Sequence, residues 1–360
     1  DVCSSDLGPM GRAHLKWESH TEFVTYSAFT PGVSARPFDP MDAEVFPEDW
    51  LATAPGKRLC SVLIRVEYMP EDEETVLDKL EDWFVPESLA VSKVVDGAAI
   101  VAGDFRIDAA GHMRFAVFVR PGTGSRRVGR IVQRLCEVET YRSMSMLGLM
   151  RARALTGRLN AIDPKLSELV TALDGKERSP EAVLHDLLTI SAELESLAVK
   201  YSFRFGATAA YEAIVNQRIE VMREVRLQGR QTFGEFMMRR YDPAMRTVKS
   251  AEARLRSLAE RAQRAAELLR TRVDVERSAQ NQKLLESMDK RADLQLRLQR
   301  TVEGLSTVAI SYYAVNLAAY ALEPLAHGLH LSHGALMALL TPVVLLGVWL
   351  MVRRIRNHFD

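Results

Sequence analysis

Two long apolar segments, residues 305–326 and 334–352, constrain this chain more than any other feature. Each is about 20 residues long and as a helix would cover ~30 Å, the thickness of the hydrocarbon core of a bilayer. Neither contains Lys or Arg, but six arginines flank them. These are Arg291, Arg297 and Arg300 before the first segment and Arg353, Arg354 and Arg356 after the second. The pattern predicts a hairpin of two transmembrane helices with both ends cytoplasmic; the alternative is a helical hairpin inside a soluble core.

The composition leaves room for a substantial folded body beside this hairpin. The chain has 360 residues, of which 47% are hydrophobic, and a chain of this length is expected to form about two domains. Its formal net charge is zero, and we expect no nucleic-acid partner. Three cysteines, Cys3, Cys60 and Cys136, form neither a disulfide framework nor a zinc motif, which is typical of a reducing compartment.

The first seven residues are set apart from the rest. Asp1–Leu7 reads like an in-frame translation of a sequencing adapter, so we exclude residues 1–7 from fold reasoning. The remaining sequence up to residue 125 contains runs rich in Val, Ile, Phe and Tyr, separated by Pro, Gly and Asp. The runs are Thr21–Phe29, Leu59–Tyr68, Leu89–Val101 and Met113–Arg120. Together with a helix after Pro70, these runs predict a cytosolic α/β domain at residues 8–125, with a mixed sheet and covering helices. For the chain as a whole the pattern predicts an α+β fold.

From residue 126 to 243 the apolar spacing is that of helices. Breaks are predicted near Asp163-Pro164 and between Asp174 and Pro180, and separate helices at residues 180–201 and 209–240. Asp242-Pro243 then provides a cap and a first-turn proline for the next helix.

Residues 244–304 approach a heptad repeat. Val248, Leu255, Ala262 and Leu269 recur at every seventh position, and a looser register follows. The later positions are Leu284, Met288, Ala292, Leu298, Val302 and Leu305. Such spacing requires a partner helix. We expect a coiled-coil-like stalk, ~90 Å long, that continues into the first transmembrane helix and supports a homo-oligomer.

One polar cluster is a candidate metal site. Glu18, His20 and Glu22 would share one face of a continuous strand and offer ligands to a divalent cation. The alternative is a polar sheet face on which neighbouring carboxylates hold the histidine. No other cofactor is predicted.

The loop 121–130 lies between a strand and a helix, where phosphate-binding loops occur. Its Gly124 to Gly129 spacing imitates a P-loop, but Arg130 stands where the motif has Lys and Ile131 where it has a hydroxyl. The alternative is a glycine turn that begins a helix. No Ser-His-Asp, Cys-His or paired-carboxylate arrangement has a spacing typical of a catalytic site, so we predict a protein that is not an enzyme.

Polar residues inside the first apolar segment predict contact with protein or with a pore. Asn316 lies deep in the segment and Glu323 near its outer end, and uncompensated polar groups in hydrocarbon are costly. Ser311, Tyr312 and Tyr313 complete the candidate set for a pore or a helix–helix contact.

Several motifs resemble a bacterial family of uncharacterised membrane-anchored proteins, a domain of unknown function. They are Trp17–Phe23, Gly129–Leu135 with Glu137 to Arg142, Leu284–Met288, Leu298-Gln299, Val302–Ser306 and Tyr312-Tyr313. The resemblance covers nearly the whole chain from Gly11, supplies no activity and implies a missing amino-terminal stretch.

The order of domains resembles, more distantly, the CorA-like magnesium channels. That family has Gly-Met-Asn after a Tyr at the pore mouth, whereas Tyr313-Ala314-Val315-Asn316 retains only the Tyr and the Asn. The sequence thus predicts an oligomeric, non-enzymatic protein anchored in the bacterial inner membrane, with a CorA-like cation channel as the alternative. A hydrolase or nucleotide-using enzyme has only His20 and Gly124 in its favour.

Overall fold

A computed structural model of the chain describes residues 2–54, 56–173, 178–328 and 333–359. The chain divides into two compact units, Asp1–Leu269 and Arg270–Asp360. The predicted α+β class is confirmed: a mixed sheet in the amino-terminal half, long helices and an apolar helix near the carboxyl end.

The strands are β1 (Val2–Met10), β2 (Ala13–His20), β3 (Val24–Phe29), β4 (Val62–Tyr68), β5 (Ala90–Val94), β6 (Ala99–Ile107), β7 (Met113–Val119) and β8 (Val225–Arg226). The helices are α1 (Glu48–Thr53), α2 (Glu73–Trp83), α3 (Ser125–Ala172), α4 (Pro180–Glu220), α5 (Phe233–Arg240), α6 (Asp242–Gly328) and α7 (His333–Phe359). A short 3-10 helix spans Pro40–Ala43.

The strands form two sheets. β1, β2 and β3 make an antiparallel meander, and the larger sheet has the order β4-β7-β6-β5-β8. In the larger sheet β4 and β7 are parallel and the other neighbours antiparallel. Residues 1–7, set aside in the sequence, fall largely within β1, which pairs with β2.

The predicted strand Leu89–Val101 is in fact two strands. Val95, Asp96 and Gly97 have φ of 51°, 57° and 75° and turn the chain back on itself between β5 and β6. A left-handed Val and Asp were not anticipated, because such φ values are rare outside glycine.

The larger sheet is covered on both faces. Val76, Leu80 and Trp83 of α2 pack on one face, where they bury Ile100 and Phe118. The other face packs against α3, α4 and α5 and the start of α6. Strand alternation explains the division, because successive side chains of β6 and β7 point to opposite faces.

Helix α3 does not break at Pro164, as the sequence had predicted. It runs through Pro164 to Ala172, although an interior proline lacks the N–H for one backbone hydrogen bond. Packing offsets that loss: Leu159, Ile162 and Leu166 are buried on one face of the helix. Helix α4 likewise runs without a break to Glu220, so the two predicted helices 180–201 and 209–240 do not exist as such.

The first heptad positions have partners within the same chain. Val248, Leu255, Ala262 and Leu269 of α6 are buried inside the first unit. Arg254 of α6 donates to Asn160 and pairs with Asp163 of α3, at 2.7 and 3.0 Å. Lys249 pairs with Glu212 of α4 at 2.7 Å. Residues 244–269 are therefore a helix of an intramolecular bundle rather than part of a free stalk, because a heptad stripe specifies a buried face but not its partner.

The second unit contains the rest of α6 and α7. Every residue of α6 from Asp274 to Ser306 is exposed on all faces. Two helices of the described chain are long and apolar enough to cross a membrane, by length and composition.

Candidate functional site

The predicted metal cluster lies where β2 turns into β3, but not on one strand face. β2 ends at His20, and the backbone N–H of His20 donates to the carbonyl of Phe23 at 2.9 Å, which closes a tight turn. Glu22 lies in that turn, beyond the end of β2. The alternation of side chains along the strand, which would place Glu22 on the same face as Glu18 and His20, therefore does not extend to Glu22.

Each of the two carboxylates has a cation of its own. Glu18 pairs with Lys16 at 2.8 Å. Glu22 pairs with Arg204 of α4 at 2.6 Å and accepts a hydrogen bond from the Tyr211 hydroxyl at 3.1 Å. Within the described ranges, no group of three or more His, Cys, Asp or Glu side chains is arranged to hold a metal ion.

His20 lies in an aromatic environment. Its ring stacks on Phe23 with centroids 4.3 Å apart and meets the edge of Tyr141 at 6.3 Å. Burial lowers the pKa of His20, with Glu18 opposing the shift. Tyr141 of α3 stacks on Tyr211 of α4, 5.5 Å between centroids. The turn thus fastens the small sheet to α3 and α4, and a neutral imidazole suits that role.

The predicted pore residues differ in burial. Ser311 is buried, together with Val315 and Ala319 one and two turns later on the same face of α6. Tyr312 and Tyr313 are exposed, and their rings meet edge to face with centroids 5.8 Å apart. Small buried residues four apart are typical of a helix–helix contact.

Asn316 and Glu323 are half-buried. The Asn316 side-chain amide donates to the backbone carbonyl of Tyr312 at 2.9 Å, within its own helix. Thr307 and Thr341 make the same kind of bond to the carbonyls of Glu303 and Met337. This bond gives the Asn316 side chain a hydrogen-bond partner within its own helix.

A second feature of the first unit is a cleft rich in arginine, with a volume of about 680 Å³. Arg127, Arg130 and Arg134 of α3 form one wall, and Arg223, just after α4, and Val95 of the β5–β6 turn form the other. Chemically, such a cleft offers guanidinium groups to an anion.

Comparison with known sequences identifies the chain over nearly its whole length. Residues 5–359 match the family described as "Protein of unknown function (DUF3422)". The chain belongs to this family. The sequence-based resemblance to an uncharacterised family is therefore confirmed. No curated protein and no solved structure matches the chain, and the architectural resemblance to CorA-like magnesium channels gains no support.

In this DUF3422 member, sequence reasoning missed the arginine cleft and named Arg130 only as a departure from the P-loop pattern. The spacing of Arg127, Arg130 and Arg134 at i, i+3 and i+7 was visible in the sequence and indicates a shared helix face. Arg223 and Val95 lie far away in the sequence, and only the packing of α4 against the β5–β6 turn brings them to the same place.

Proposed function

We propose that this DUF3422 protein is a membrane-anchored, self-associating, non-enzymatic protein that presents its folded first unit at the cytoplasmic face of the bacterial inner membrane. One observation carries the proposal: an 18-residue apolar stretch of α6 is only 17% buried, and that of α7 only 6% buried. Helices of a soluble core are mostly buried, so these surfaces require another apolar environment.

The length and flanks of the two helices fit a bilayer. The candidate membrane span of α7, Gly334–Arg354, has 21 residues and as a helix is ~32 Å long. Arg353 lies over the ring of Trp349, 5.0 Å from its centroid. Tryptophan and arginine at the end of an apolar helix are typical of the interface between hydrocarbon and water. The arginines on both sides of the pair favour two spans with cytoplasmic ends.

Arginine substitution within α7 tests the anchor. Leu339→Arg with Val343→Arg places two charges in the middle of the span, each at a cost of about 2.5–3.5 kcal/mol in hydrocarbon. The matched control, Leu268→Arg with Val275→Arg, changes equally exposed apolar residues outside the apolar segments. With the same kind of substitution also made in the α6 span, Ile310→Arg and Leu317→Arg, because that span would otherwise hold the protein, carbonate washing should release the α7 variant from the membrane pellet and the control should stay. Equal retention of both variants would contradict the proposal.

Reporter fusions test the number of spans and their direction. A cytoplasm-active reporter fused after Asp360 should be active, and one inserted between Gly328 and His333 should be silent. A periplasm-active reporter should give the opposite pattern. Activity of the same reporter at both positions would refute the two-span topology.

The exposed part of α6 supports self-association. Leu284, Met288, Leu298, Val302 and Leu305 are large, apolar and exposed, and their spacing is that of a coiled-coil seam. Unlike Val248 to Leu269, these positions have no cover within the described chain. We expect a second copy of the chain to supply it.

Aspartate substitution on and off the seam tests this contact. Met288→Asp with Leu298→Asp should lower the oligomeric state in mild detergent, measured by light scattering. Leu285→Asp with Leu296→Asp, which changes exposed residues off the seam, should not. If the wild-type protein were monomeric, the proposal of self-association would be refuted, whereas the proposal of a membrane anchor would be unaffected.

A further inference from the structure

The arginine cleft carries more positive charge than its surroundings neutralise. In the described chain, no carboxylate pairs with Arg127, Arg130 or Arg134, and the Arg134 guanidinium donates instead to the backbone carbonyl of Val221 at 3.1 Å. Arg223 pairs with Asp96 at 2.6 Å, and the one carboxylate lining the cleft is that of Glu220. The cleft therefore has three arginines without a carboxylate partner.

The arginines also repel one another. Burial lowers the pKa of Arg134, and the neighbouring guanidinium groups of Arg130, Arg218 and Arg223 lower it further, against the opposing effect of Glu137. Like charges held close together in a partly buried place favour the arrival of an anion, which would relieve the repulsion.

The backbone on the second wall is strained where it faces the cleft. Val95 and Arg223 both have left-handed φ, 51° and 48°. A β-branched residue in this region is an outlier, and such residues cluster at ligand sites. The N–H of Val95 donates to the carbonyl of Met222 at 2.8 Å, which ties the two strained turns together. This hydrogen bond fixes the turn that carries Arg223, which lines the same cleft as the arginines of α3.

The shape of the charged wall points to an extended anion. Arg127 and Arg134 are seven residues apart on one helix face, so their Cα atoms are separated by ~10 Å along the axis. Several linked phosphate groups can contact guanidinium groups spread along this length, whereas a single phosphate would have to draw the long side chains together. Guanidinium groups bind phosphate oxygens in a bidentate manner, and a row of them suits a row of linked phosphates.

We propose that this cleft binds a small soluble oligophosphate, a compound with two or more linked phosphate groups such as a nucleoside di- or triphosphate. The site differs from a P-loop, because guanidinium side chains rather than a glycine-rich loop supply the donors. It lies wholly within the first unit and is independent of the membrane anchor.

Titration calorimetry on the full-length protein in neutral detergent tests the site, with tripolyphosphate as the probe. We expect saturable binding that weakens as salt is raised. Orthophosphate should bind at least tenfold more weakly. Arg127→Gln with Arg130→Gln should weaken tripolyphosphate binding at least tenfold, and both residues are exposed, so the fold is retained. Arg126→Gln, an adjacent exposed arginine that does not line the cleft, should change it less than twofold.

Three results of the binding titrations would overturn the proposal. They are the absence of saturable tripolyphosphate binding by the wild-type protein, equal binding by the double variant, and an equal loss with Arg126→Gln. A further arm distinguishes a lipid headgroup: micelles doped with anionic phospholipid should not displace tripolyphosphate. Displacement would show that the cleft takes a membrane headgroup and would refute the soluble ligand. None of these results bears on the membrane anchor, which the α7 variants test separately.

Discussion

Replacing Gly148 by alanine should force α3 and α4 apart, because the two helices touch at this glycine. A Cβ at position 148 would lie 2.2 Å from Oγ1, 2.9 Å from Cγ2 and 3.0 Å from Cβ of Thr208. Thr208 is buried, and its hydroxyl donates to the carbonyl of Arg204 at 2.8 Å. Rotation of the threonine side chain moves Oγ1 and Cγ2 but leaves Cβ in place, so the backbones themselves must move.

The expected loss is the difference between two terms. Overpacking of this kind costs about 1–3 kcal/mol. Alanine in place of glycine inside a helix contributes about 1 kcal/mol in the opposite direction. Gly157→Ala provides the matched control, because it lies in the same helix with nothing within 4 Å of its new Cβ. The gap in unfolding free energy between the two variants isolates the packing term, about 1–3 kcal/mol.

Urea denaturation of the full chain in mild detergent, followed by far-ultraviolet circular dichroism, measures both variants. We expect Gly157→Ala to be more stable than the wild type and Gly148→Ala less stable than Gly157→Ala by the packing term. Adding Thr208→Ala should recover part of the loss, because it removes Oγ1 and Cγ2 from the contact. If both glycine variants were equally stable, the close approach of α3 and α4 at this point would be refuted.

Three further predictions concern titratable groups. Burial lowers the pKa of His20 in the folded protein, so the unfolded chain binds a proton at this imidazole more tightly than the folded chain does. The neutral His20 therefore contributes its full share of the unfolding free energy above about pH 6.5, and this contribution is lost as the pH falls through the folded-state pKa. Melting temperatures should therefore fall less on acidification for His20→Gln than for the wild type or for His185→Gln, which changes an exposed histidine. Burial raises the pKa of Cys136 to about 11, so maleimide labelling at neutral pH, located by peptide mapping, should reach it only after denaturation. Glu139 is buried and bonded to Arg142 through both oxygens at 2.8 Å, so Glu139→Gln should cost about 3 kcal/mol in urea denaturation, and Glu139→Leu with Arg142→Met should cost less.

Much of the fold was predictable from periodicity. The apolar runs that became β4 and β7 and the helix after Pro70 are set by local spacing, and Asp72 caps that helix by accepting from the N–H of Thr75 at 2.6 Å. Pro164 misled the prediction, since the loss of one hydrogen bond is local whereas the packing that outweighs it is tertiary. The heptad from Val248 to Leu269 predicted a buried face correctly, but its partners, α3 and α4, are not encoded in the spacing.

The candidate sites were less predictable, because they depend on where the chain turns. A strand face through Glu18, His20 and Glu22 assumed a period of two that the turn after His20 interrupts. The arginine cleft needs Arg223 opposite Arg130, and nothing near either residue in the sequence indicates the other. The metal and pore hypotheses for the predicted residues stay predictions.

The pairing of β8 with β5 has a consequence for biosynthesis. Arg226 pairs with Ser92, and the N–H of Val91 donates to the carbonyl of Gln231 at 2.8 Å, so the outer edge of the larger sheet is completed by residues that follow α4. During synthesis on the ribosome, the edge of β5 that pairs with β8 stays unpaired until the long helices α3 and α4 have been translated. An open apolar strand edge invites pairing with other chains. We therefore expect this edge to be open to aggregation during that interval, when chaperone binding would protect it.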